Sequence, residues 1–111
     1  LKASPQTRTA SLIAALWQRN RPQVLERLAI LEAAAVAAQA GTFSVEQKVE
    51  AEATAHKLAG SLGMYNFPLG TEAARSFELE LNAPEPDPAK LMELAATLRA
   101  ALFPDRETGP Q

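Results

Sequence analysis

His56 is the only histidine in this 111-residue chain and its one imidazole nucleophile. It lies in the run Ala55-His56-Lys57-Leu58-Ala59-Gly60-Ser61-Leu62-Gly63. On a helix, residues three, four and seven apart share a face. That rule sets Ala53, Ala59, Gly60 and Gly63 beside His56, and Ala51, Ala55, Leu58, Leu62 and Tyr65 on an apolar stripe. Leu58 is about 200° around the helix from His56. When the stripe packs into a core, the imidazole points outward over a patch of small residues. A glycine inside a helix costs roughly 1 kcal/mol relative to alanine. Gly60 and Gly63 on the histidine's own face therefore suggest close approach by a large partner. Tight packing against another helix of the same fold is the competing use.

The segment His56-Lys57-Leu58-Ala59-Gly60-Ser61 resembles the signature of histidine-containing phosphotransfer (HPt) domains. In that family an apolar residue follows the histidine by two positions and a glycine by four, often with serine next. The resemblance extends over residues 21–103 and implies a helical bundle. It also implies that His56 accepts a phosphoryl group from the aspartate of a response-regulator receiver domain and passes it on. A receiver domain, a histidine kinase, or both are the partners implied, with Mg²⁺ held by the receiver. The family usually has lysine three residues after the histidine, where this chain has Ala59. Lys57 is basic but lies about 100° off the histidine's face. Lys57 and Arg75 are the two candidates to screen a phosphate.

Composition narrows the alternatives. Residues of apolar type make up 47% of the chain but aromatic ones only 5%, with alanine dominant, which suits closely packed helices. The 11 basic and 13 acidic residues read as mixed along the chain, with no basic run that would suggest nucleic acid. Without cysteine there is no disulfide framework, and a single histidine makes structural zinc implausible. No apolar run approaches membrane-spanning length and no signal-peptide pattern opens the chain, so a cytoplasmic protein is expected. The chain starts at Leu1 rather than methionine and reads as a piece of a larger multidomain protein, although proteolysis or renumbering would look the same.

The elements that must position His56 are all helices: the expectation is an antiparallel four-helix bundle with an additional short N-terminal helix. Residues 1–8 read as a linker end, 9–103 as the bundle domain and 104–111 as a polar tail. Thr9 caps a short helix carrying Leu12, Ile13, Leu16 and Trp17. Pro22 suits a first helical turn, so a break falls at Arg19 to Arg21, with one kinked helix as the alternative. The next helix presents Val24, Leu28, Leu31, Ala35 and Ala38, widened by Leu25 and Val36, and ends at Gly41. Ser44 and Gln47 form a capping box that opens the His56 helix, which runs to about Tyr65. Asn66-Phe67-Pro68 is a tight turn. The third helix turns Leu69, Ala73, Ala74, Phe77 and Leu81 inward. Asp87-Pro88 starts the last helix, which buries Leu91, Leu94, Ala95, Leu98 and Leu102. Phe103-Pro104 stops it. No stretch alternates at period two, so no sheet is expected.

A tight turn makes its flanking helices antiparallel neighbours. His56 lies eleven residues before Phe67 and Glu78 eleven after it, which sets them at one height. A carboxylate bonded to one ring nitrogen fixes the tautomer and leaves the other free to attack. In the HPt family a glutamate or glutamine at this spacing plays that part. The chain has no Gly-rich phosphate loop and no carboxylate cluster for magnesium, so self-phosphorylation from a nucleotide is not expected. No cofactor is expected in this domain. Two other readings stand beside phosphotransfer: a module of the same fold that docks on a receiver without carrying phosphate, and a helical oligomerisation domain that works through Leu12, Ile13 and Trp17. Ala59 in place of lysine is the main support of the first, and in the second His56 is incidental.

Overall fold

A computed structural model describes residues 5–104, and every regular element among them is a helix. They are α1 (Pro5–Ala40), α2 (Val45–Met64), α3 (Pro68–Leu81) and α4 (Pro88–Leu102). Each packs on the next, and α4 returns to α1, which closes an all-α four-helix bundle. Residues 1–4 of the expected linker and 105–111 of the expected tail lie outside the described residues. Pro5 to Arg8, assigned above to the linker, are helical.

The helix boundaries follow local chemistry. Ser44 Oγ accepts from Gln47 N at 3.0 Å while Gln47 Oε1 accepts from Ser44 N at 3.1 Å, a complete capping box. Gly41 ends α1 at φ +77°, a conformation that costs glycine little. Pro68 and Pro88 begin α3 and α4, where a missing N–H leaves no intrahelical bond unmade. Asp87 Oδ1 accepts from Ala89 N at 3.0 Å and caps α4.

The extra N-terminal helix is not a separate element. α1 continues through Pro22 without a break, as one helix of 36 residues. Tertiary contacts hold both sides of the proline. Trp17 packs on Tyr65, Phe67 and Phe103 before it, and Val24 and Leu28 are buried after it. The Pro22 ring faces solvent, so continuing the helix displaces no core atom. One turn before the proline, Asn20 Nδ2 donates to Leu16 O at 3.0 Å.

Leu28, Leu31, Leu58, Leu62, Phe77, Leu81, Leu91 and Leu98 fill the core, with alanines between them. Three side chains expected to face inward do not. Leu25, Val36 and Leu69 are exposed. Each lies beyond the arc that its helix buries, set by Val24, Leu28, Leu31 and Ala35 on α1 and by Gly70, Ala73, Ala74, Phe77 and Leu81 on α3. Gly70 takes the inward position expected of Leu69: a Cβ there would lie 3.1 Å from Leu102 Cδ2 and 3.2 Å from Leu62 Cδ1.

Candidate functional site

The rotation of α2 is set by Ala51, Ala55, Leu58 and Leu62, all buried on one side. That rotation turns His56 out, with 78% of its side chain exposed. On α3, Phe77 is driven into the core, which leaves Glu78 at the edge of the α2–α3 seam. Its carboxylate meets His56 Nδ1 at 3.1 Å through Oε2 and at 3.3 Å through Oε1. A carboxylate accepts, so Nδ1 is the donor, and in the neutral ring Nε2 is the nitrogen left with the lone pair. Among the described residues, the ring's hydrogen bonds to Glu78 both run through Nδ1.

His56 and Glu78 share a shallow groove of about 330 Å³ with Ala59, Gly60, Arg75 and Leu79. Ala59 is buried and forms its floor. A Cβ added at Gly60 or at Gly63 would meet nothing within 4 Å. Neither glycine therefore serves packing inside the bundle, and that competing use is removed. The α2 face around His56 is open. Gly63 borders a second depression toward Pro68 and Leu69, and Arg75 lines both depressions.

Of the other residues singled out by sequence, Lys57 is exposed and lies outside the groove. Ser61 supports the fold: its Oγ donates to Lys57 O at 2.9 Å and accepts from Arg27 Nη1 of α1 at 3.4 Å. Met64 is exposed, while Tyr65 and Phe67 half-bury against Trp17. Sequence reasoning missed Leu79, which is 72% exposed on the groove rim. It also missed Val45 and Val49, both exposed on α2. The signal was there: they precede His56 by eleven and seven residues, so they continue its stripe.

A larger apolar concavity, about 630 Å³, lies between the first turns of α1 and the α2–α3 turn, lined by Ile13, Ala14, Trp17, Tyr65 and Phe67. Its lining includes no histidine or acidic side chain. Ile13 and Trp17 are half-buried there, whereas Leu12 and Leu16 face solvent. Among the described residues, no helix is long and apolar enough to cross a membrane.

Comparison with known proteins gives one partial likeness. The chain is 34% identical over 89 residues to Protein RcaC of Microchaete diplosiphon, a stretch that covers 80% of this chain and 14% of RcaC. No protein-family model matches the chain, and no solved structure matches it.

Proposed function

We propose that the chain is an HPt domain, a phosphorelay intermediate in which His56 accepts a phosphoryl group from a receiver aspartate and donates it to another. The observation that carries this reading is the bond from Nδ1 to Glu78, with Nε2 free over a helix face bare enough for a folded partner. The likeness to RcaC supports the coarser statement, a link to two-component signalling.

In the step proposed, the Nε2 lone pair attacks the phosphorus of an aspartyl phosphate. An N–P bond forms as the P–O bond to the aspartyl carboxylate breaks, and that carboxylate leaves with the electron pair. The ring becomes an N-phosphoimidazolium whose positive charge lies against the Glu78 carboxylate, and the proton stays on Nδ1. Reversal returns the group to a second aspartate. The receiver partner supplies Mg²⁺ and much of the charge stabilisation that phosphoryl transfer demands. This domain contributes a positioned nucleophile and an uncluttered face.

The test is transfer in vitro from phosphorylated receiver domains to wild type and to His56→Gln. Label on wild type alone supports the reading. Equal labelling of both excludes it. A second reading is favoured by one observation, the buried Ala59 where the family has lysine: a docking module that binds a receiver domain without carrying phosphate. It predicts receiver binding that is unchanged in His56→Gln, with no label on either protein.

A further inference from the structure

We infer that Arg75 is the cationic side of the phosphoryl site at His56, supplying from α3 the charge that a lysine at position 59 would supply from α2. The inference rests on the phosphotransfer reading above. Register carries it. His56 is bonded to Glu78 across two antiparallel helices. Equal rise in opposite directions then levels each residue of α2 with one of α3, and three residues on from His56 the partner of Ala59 is Arg75. The arginine therefore stands at the height where the small residue leaves a gap. Both line the same groove, and among the described residues Arg75 is the one Lys or Arg that does so.

The chemistry of the groove asks for such a charge. Before transfer it holds the Glu78 carboxylate. A phosphoryl group on Nε2 adds up to two more negative charges nearby, and like charges repel. Ala59 is buried and neutral, and Lys57 lies outside the groove. A guanidinium offers two parallel N–H donors to two phosphoryl oxygens. Arg75 is exposed, so its side chain has room to swing from the Glu78 side of the groove onto an arriving phosphoryl group. The alanine floor leaves space for that plane.

Two donors separate a role at the phosphoryl group from one in docking: a phosphorylated receiver domain, and phosphoramidate, which brings no protein surface. Acid-labile phosphate on His56 is followed by mass spectrometry. Arg75→Ala is expected to slow phosphorylation by roughly 10–100-fold with both donors, with the helical circular dichroism unchanged. Arg75→Lys is expected to keep most of the rate. Ala59→Lys added to Arg75→Ala is expected to restore it, because the lysine re-enters the groove at the same height. Wild-type rates in Arg75→Ala, beside an inactive His56→Gln, overturn the assignment and leave the phosphotransfer reading standing. A loss that neither lysine recovers also overturns it, since a role in charge would be recovered by either. Full labelling of His56→Gln would remove both readings.

Discussion

At the scale of single residues, His56 is held by one atom and free at the other. In the proposed transfer the Glu78 contact decides which nitrogen attacks, because Nδ1 donates to the carboxylate. Glutamine at position 78 keeps an acceptor oxygen and alanine does not. Glu78→Ala is therefore expected to slow phosphoryl acceptance by roughly tenfold or more, and Glu78→Gln by much less, measured as transfer rates from one phosphorylated receiver. Similar rates in Glu78→Ala and wild type would mean that Nδ1 needs no acceptor. The Glu78 contact was legible because a tight turn at Asn66 to Pro68 lets residues be counted outward on both sides. The choice between Lys57 and Arg75 was not. Lys57 is nearer in sequence though about 100° off the histidine's face, and the α2–α3 seam adds that it lies outside the groove while Arg75 lies within it. Leu79 escaped notice although the sign was there: it lies two residues from both Phe77 and Leu81, about 200° around α3 from each.

At the scale of elements, α2 carries two glycines where alanine would fit. The space at Gly60 is empty, so Gly60→Ala is expected to stabilise the fold by about 0.5–1 kcal/mol. Thermal unfolding would show this as a Tm rise of a few degrees. A drop would mean that the space is not free. Gly60→Gln would keep the fold and obstruct the face, and is expected to lose transfer from a receiver domain while keeping phosphorylation by phosphoramidate. Loss with both donors would show that the side chain shields His56 itself. The helix α1 shows the limit of local rules. Pro22 reads as a start signal, and in isolation it would cost about 3 kcal/mol inside a helix. Trp17 on one side and Val24 on the other hold the chain helical through it, and those contacts come from segments distant in sequence. Pro22→Ala is thus expected to raise stability by about 1–3 kcal/mol in denaturant unfolding. A loss of stability would show that the proline is needed to set the angle of the N-terminal turns. The caps at Ser44 and Asp87 were legible because each needs only residues two or three positions apart.

At the scale of the whole molecule, charge is less evenly mixed than a residue-by-residue reading suggests. Lys2, Arg8, Arg19 and Arg21 all precede the first acidic residue, Glu26, so residues 1–25 carry +4 and the remainder −6. The long first helix gives the molecule a principal extent of 58 Å, and its N-terminal turns carry the arginines beside exposed Leu12 and Leu16. The bundle itself stays compact around the core, tied between α1 and α4 by the Arg99 guanidinium, which donates to both oxygens of Glu32 at 2.6 and 2.8 Å. All of this scaffold presents one ring nitrogen at mid-height on α2. The proposed transfer therefore turns on one atom. The most direct measurement is nuclear magnetic resonance of the chain after exposure to a phosphorylated receiver or to phosphoramidate, reading the phosphorus and imidazole nitrogen signals together. The expected result is a single phosphohistidine, at residue 56 and on Nε2, lost on acidification and absent from His56→Gln. Phosphate on Nδ1, or on a residue other than His56, or none on a folded chain, would contradict it.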